Sequence, residues 1–323
     1  MNLLQSPEGS GYPEEYLIAR IRGRRAWLVK EWDDILSGPV SAESMLPAYY
    51  GALAAEYAKE GVWKRMLQEF RWVYLQMNRG LRNIFSPFFL YSETKTIVLC
   101  LRHKVEKETT TEAEDLLSFS LLSSEVKEVL GKESDLPLIL EEFEKKFLTP
   151  GGRPAGLKEL FETEGLKGVE EELVNGFIDQ ITASKLHPVL HGFFVFLIDI
   201  KNIMILYKYD RWDIKTDPVF IQGGSISESI LGKVIQDGGI SRIIRLVKQR
   251  TGISVQDPGA SEIENNLFAS LTKNLRIKAR EGSGAGLILD YLWKISIEAR
   301  NFSILLHSRD LEKINLRKEL VIV

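Results

Sequence analysis

Asp199-Ile-Lys201-Asn202-Ile203-Met-Ile205-Leu-Tyr207-Lys208 places an acid, a base and a carboxamide at the mouth of an apolar run. On a helix the acid and the asparagine, three residues apart, share one face, and the base at the second position points elsewhere. Phe193, Phe194 and Phe196 precede the motif, so the helix that carries it is expected to be buried. Buried polar groups need hydrogen-bond partners. The expectation is that these groups bond neighbouring backbone where the helix leaves its bundle, rather than touching a partner molecule.

The same order of residue types occurs twice more. Glu93-Thr-Lys95-Thr96-Ile97-Val-Leu99-Cys-Leu101-Arg102 follows Phe88, Phe89 and Tyr91, and Glu298-Ala-Arg300-Asn301-Phe302-Ser-Ile304-Leu-Leu306-His307 follows Tyr291 and Trp293. The acid recurs at 93, 199 and 298, spacings of 106 and 99 residues. That period is well beyond the roughly 20–50 residues of a solenoid unit, so the repeating unit reads as a small domain of several helices. Three such domains fill the chain, over 1–108, 109–214 and 215–323. The first repeat departs most, with Thr96 where the others carry asparagine.

Outward from these motifs the chain is helical in pattern nearly throughout. Apolar residues recur at i, i+3 and i+4 over Tyr16–Leu36, Ser44–Lys59, Val62–Leu81, Thr111–Leu130, Leu136–Phe147, Leu157–Glu164, Val169–Leu186, Ile226–Gln236, Ile240–Thr251 and Ser261–Arg280. Glycine and proline punctuate them at Gly38-Pro39, Pro150-Gly151-Gly152, Gly223-Gly224 and Gly282–Gly286. Ser261 with Glu264 reads as a capping box. Strand patterns are scarce, and the class is all-α.

Composition narrows the function. The 323 residues carry 42 Lys and Arg against 45 Asp and Glu, a net charge of -3, which excludes a global basic field and a general nucleic-acid partner. One cysteine, Cys100, excludes an internal disulfide framework and fits a reducing compartment. No targeting segment opens the chain, and the longest uncharged stretch considered for a membrane span, Leu186–Ile198, has 13 residues. A span needs about 20. A soluble chain, or one held at a membrane by a partner, is expected.

The motifs of catalysis are missing. Gly131-Lys132 lacks the earlier glycine of a phosphate-binding loop, and Gly282-Ser-Gly284-Ala-Gly286 reads as a hinge between helices. His187 and His191 have the spacing of a helical metal pair, but Pro188 lies between them and no third ligand follows. They read as helix-start or core histidines. Cys100 sits in an apolar run, where a thiol is inert packing. Neither catalytic residue, cofactor nor metal is expected. Arg20, Arg22, Arg24, Arg25 and Lys30, beside Trp27 and Trp32, form a local basic cluster. It reads either as a solvated face with buried tryptophans or as a surface for an acidic partner, lipid headgroups or nucleic acid.

These residues resemble the family of the C-type subunits of archaeal and bacterial A/V-type ATPases, relatives of the d-type subunit of the vacuolar proton pump. The resemblance rests on Tyr16-Leu-Ile-Ala19-Arg20-Ile-Arg22, the turn Ile221-Gln-Gly223-Gly224-Ser-Ile226, the helices Asp199–Lys208 and Glu298–His307, and the tail Leu311–Val323. It implies three similar helical bundles in a pseudo-threefold, funnel-shaped arrangement. It implies a non-catalytic, single-copy component of the central stalk, cytoplasmic and peripheral on the membrane, that seats the D and F stalk proteins on the proteolipid rotor ring. Torque would pass through it for ion transport or ATP synthesis. Contact residues suggested on this basis are Arg20, Arg22, Arg24 and Arg25, with the loops at Gly223, Gly224 and Gly284. Glu93, Lys95, Asp199, Lys201, Asn202, Glu298, Arg300 and Asn301 are assigned to the repeated structural motif. Two other readings stand beside it: a diverged helical-repeat adaptor or scaffold independent of the ATPase, and an all-α enzyme with its site near His187 and His191.

Overall fold

The computed structural model describes residues 3–37, 61–106, 116–148, 156–236, 239–253, 258–307 and 313–323. Among them every regular element is a helix, and the one β-bridge joins Leu4 to Leu122. The expected all-α class holds. The helices are α1 (Glu14–Arg24), α2 (Trp32–Ser37), α3 (Gly61–Gln76), α4 (Arg79–Glu106), α5 (Ser124–Gly131), α6 (Leu136–Phe147), α7 (Leu157–Thr182), α8 (Pro188–Arg211), α9 (Glu228–Gln236), α10 (Ile240–Thr251), α11 (Ala260–Arg280), α12 (Gly284–His307) and α13 (Lys313–Glu319). The chain divides into two compact units, Met1–Pro13 with Leu67–Leu186, and Glu14–Met66 with His187–Val323.

In the first unit α4 is the central helix. Its N-terminal half sets Phe88 and Phe89 edge-on to Phe70 of α3, 5.7 and 6.0 Å between centroids. Its C-terminal half gives Ile97, Cys100 and Leu101 to a core completed by Ile139, Leu140 and Phe143 of α6 and Val169, Leu173 and Phe177 of α7. Burial pushes the Cys100 thiol up to about 12, with the Glu93 charge adding to the effect, so the group is packing material. Arg102 of α4 holds Glu170 of α7 bidentately at 2.5 Å. Residues Leu3 and Gln5 pair with the 121–123 segment through Ser123 N–H to Leu3 O and Gln5 N–H to Leu121 O, both 2.8 Å.

In the second unit α8 packs against α10 and α11, and α11 runs along α12. Trp293 joins the two layers. Its ring lies 5.4 Å from Phe193 of α8 and 5.5 Å from Phe268 of α11, and its indole N–H donates to Thr272 at 2.9 Å. An indole buried this way needs that partner. The buried face of α1, Leu17 and Ile21, turns toward α12. Arg317 of α13 pairs with Asp33 of α2.

Several helices end earlier than their periodicity suggests. The expected Tyr16–Leu36 helix stops at Arg24, passes through a 3-10 turn at Arg25–Trp27, turns extended at Leu28, and restarts at Trp32. The reason is tertiary: the Val29 N–H donates to the Glu298 carboxylate at 2.7 Å instead of to a helical carbonyl. The Thr111–Leu130 helix is broken at Ser120–Ser123, where the Glu93 carboxylate takes two donors, and Ser123 then caps α5. Val62–Leu81 ends at Gln76, and the Asn78 side chain accepts from Leu81 N–H to start α4. The capping box at Ser261 does not form. Gly259 is the N-cap, and Glu264 pairs with Arg300 at 2.8 Å. Helices expected over Leu157–Glu164 and Val169–Leu186 appear as α7, bent at Gly165, whose φ of 71° and ψ of -166° are non-helical. Ser44–Lys59 lies outside the described residues.

Residues 79–105 and α8 are long and apolar enough to cross a membrane by length and composition, contrary to the expectation drawn from uncharged runs alone. Half of the first window and two-thirds of the second are buried inside the fold. Each carries a buried carboxylate, Glu93 or Asp199, so both read as core helices.

Candidate functional site

The three repeated helices end their apolar faces in hydrogen-bonded polar clusters. On α8 the Asn202 carboxamide brackets one peptide residue. Its amide donates to Ile221 O and its oxygen accepts from Ile221 N–H, both at 2.9 Å. On α12 Asn301 does the same to Val321, at 2.9 and 3.0 Å. Both asparagines are buried, so these bonds satisfy backbone groups that water cannot reach. The bracketed residues lie 19 and 20 positions further along the chain.

The acids complete the pattern. Asp199 is wholly buried and accepts from Ser225 N–H at 2.7 Å, Ser225 Oγ at 2.6 Å and Ile226 N–H at 3.1 Å. Arg250 of α10 reaches it at 2.8 Å while lying 4.1 Å over the Phe196 ring. A buried carboxylate held by a cation and several donors avoids the cost of an unpaired charge. Glu93 accepts from Leu121 N–H at 2.7 Å and Ser120 Oγ at 2.9 Å. Glu298 accepts from Val29 N–H. Thr96 stands, buried, in the asparagine position of the first repeat. A hydroxyl is too short to bracket a peptide residue from both sides.

The bases behave differently from the acids. Lys95 is exposed and Lys201 half-buried. Arg300 binds Glu264 at 2.8 Å and Asn265 at 3.1 Å, over the Phe268 ring.

The turn at Gly223-Gly224 is fastened to α8 by these bonds. A Cβ at Gly224 would lie 2.6 Å from Asp199 Oδ1, so only glycine lets the backbone approach the carboxylate. Gly223 is exposed, with φ at 91°. Gly284 opens α12 against α1, where a Cβ would meet Glu14 Oε1 at 2.5 Å and Ile18 Cδ1 at 2.7 Å. The arginine cluster divides. Arg20 and Arg22 are exposed on α1, and Arg24 is half-buried. Arg25 is held at 2.5 Å by Asp290, a wholly buried carboxylate on α12 that also meets Lys294 at 3.3 Å. Trp27 is 69% exposed.

His187 is the N-cap of α8, its Nδ1 accepting from Val189 N–H at 3.3 Å, the helix-start role rather than metal ligation. No group of three or more His, Cys, Asp or Glu suited to a metal ion occurs among the described residues. Sequence reasoning missed Asp290, Arg250 and Ser120. A lone acid in the apolar run Ile288-Leu289-Asp290-Tyr291 was the available signal for the first, and Arg250, 51 residues beyond Asp199, carried none.

Two consequences are measurable. Asn202→Leu and Asn301→Leu each strand a buried N–H and C=O, and each should cost about 1–3 kcal/mol in denaturant unfolding. Unchanged stability in both would show the brackets to be dispensable. Burial raises the Glu93 carboxyl above the usual range, opposed by the Leu121 N–H and the Ser120 hydroxyl. The folded chain then holds a proton that the unfolded chain has lost, so this group's contribution falls as pH rises through the interval between the two values. Stability of the parent relative to Glu93→Gln, which cannot titrate, should increase as pH is lowered from 8 to 5. A difference independent of pH contradicts the assignment.

A search of curated proteins found no match to the chain. Residues 53–312 match the family model described as ATP synthase (C/AC39) subunit. That span takes in all three repeated helices and both bracketing asparagines. The chain belongs to the ATP synthase (C/AC39) subunit family, and so is a component of the V/A-type class of rotary ATPases.

Proposed function

We propose that this chain is the non-catalytic coupling component of the rotary ATPase, joining the D and F proteins of the central stalk to the membrane rotor ring and passing torque between them. The family match carries the reading. It is supported by how the polar residues of the repeated helices are used: Asp199, Asn202, Glu93, Glu298 and Asn301 all bind the chain's own backbone. A torque link needs segments between helices that do not slip, and side-chain brackets on backbone supply that. In this reading the repeats span 1–108, 109–214 and 215–323 and form three bundles around a pseudo-threefold axis. The protein is present in one copy per complex and is peripheral on the cytoplasmic face of the membrane.

The partner surface belongs on groups that the fold leaves outward. Arg20 and Arg22 on α1 are exposed, and Arg24 sits beside them. The Gly223-Gly224 turn and the loop opening α12 at Gly284 are the other candidates. Arg25 contributes by holding the segment after α1 in place through Asp290.

Affinity purification of the tagged chain from its host in mild detergent tests this. Ring and stalk proteins should co-purify with the parent. Arg20→Glu with Arg22→Glu, two exposed changes expected to leave the melting temperature within about 1–2 °C, should lower their recovery several-fold. Recovery of the chain alone, from a fraction in which the ATPase is intact, would favour an adaptor independent of the ATPase.

A further inference from the structure

The second unit contains a cavity of about 350 Å³ between the segment after α1, the C-terminal end of α11, the middle of α12 and the tail at Val321 and Val323. Its walls carry Arg25 and Lys30 from the first, Arg276 and Arg280 from the second, and Lys294 from the third. Two carboxylates, Glu31 and Glu298, also line it. Glu298 is turned to the Val29 N–H at 2.7 Å. Asp290 engages Arg25 and Lys294. Five cations therefore face three side-chain carboxylates and the chain-terminal residue Val323, a positive surplus in a concave site.

The surplus is concentrated on one side. Arg276, Arg280 and Lys30 have no carboxylate partner among the described residues, whereas Arg25 and Lys294 share Asp290. Burial holds the Lys294 ammonium below the usual lysine range; Asp290 opposes this, and the Arg25 and Arg276 guanidiniums add to it. Arg276 is half-buried and Lys30 and Arg280 are exposed at the rim, and like charges gathered in a concavity repel one another unless an anion joins them. Placing them there is expected of a binding site and not of a solvated face.

We propose that this cavity binds a small multivalent oxyanion through its phosphoryl oxygens. Guanidinium groups match phosphoryl oxygens bidentately, so Arg276 and Arg280 supply the directional contacts. Lys30 and Lys294 supply charge. The volume lies at the small end of ligand pockets, which suits a diphosphate-sized group and is too small for a helix of a partner protein. The oxyanion could come from a free phosphate compound or from a lipid headgroup.

The test uses the full chain at low salt. Inorganic pyrophosphate is titrated by calorimetry. In parallel, flotation is measured with vesicles of phosphatidylcholine alone and of phosphatidylcholine with phosphatidic acid. Pyrophosphate should bind at one site per chain. Arg276→Ala with Arg280→Ala should weaken it by at least about tenfold, while Arg245→Ala with Lys248→Ala, exposed bases of α10 outside the cavity, should not. Lys30→Ala, on an exposed loop residue, should weaken it several-fold and serves if the arginine variant does not fold. Binding of the acidic vesicles alone, lost in the cavity variants and kept in the α10 variant, identifies the lipid source. Binding of neither probe, or equal weakening by cavity and α10 variants, overturns the site.

Discussion

Two buried carboxamides, each bracketing a single peptide residue, are the interaction on which the second unit depends. Asn202 closes on Ile221 and Asn301 on Val321. Both targets lie in segments without regular structure, which cannot satisfy their own N–H and C=O groups. Burying such a segment would ordinarily cost several unmade hydrogen bonds. A carboxamide presents one donor and one acceptor side by side, which is what an extended peptide residue needs. Once Ile221 is fixed, the following turn is brought onto Asp199, whose carboxylate collects Ser225 and Ile226. Gly224 is the point at which a side chain would collide.

The acids extend the same logic across long stretches of chain. Glu298 holds Val29, 269 residues away, and by taking that N–H it terminates the helical course of the first segment. Glu93 holds Ser120 and Leu121 and breaks a second helix in the same way. Asp290 anchors Arg25, so the ends of the Arg25–Val29 link are tied to one helix, α12, by two carboxylates eight residues apart in sequence. One element thereby positions the basic wall of the cavity beside it.

Much of this was legible in the sequence, and the remainder was not for definite reasons. The all-α class followed from periodicity, and the acid-x-base-Asn order marked where polar groups enter buried helices. Their direction toward backbone followed from the need to satisfy buried donors and acceptors. The break at residues 28–31 was invisible, because local residues such as Leu28 and Val29 are compatible with helix and the competing acceptor lies at the other end of the chain. Ser261 with Glu264 had the spacing of a capping box, but Arg300 claims Glu264. Of the four arginines after Ala19, helical spacing could not tell that Arg25 faces a buried aspartate while Arg20 and Arg22 face outward. The cavity required four segments to meet, three of them more than 200 residues from the first.

The central claim is that the repeated helices use their polar residues to hold backbone. Hydrogen exchange of the native chain, resolved by residue, tests it most directly. The N–H groups of Ile221 and Val321 lie outside helices, yet they should exchange as slowly as the core amides of α8 and α12. Exchange as fast as that of the exposed Gln222 next to Ile221 would contradict the account.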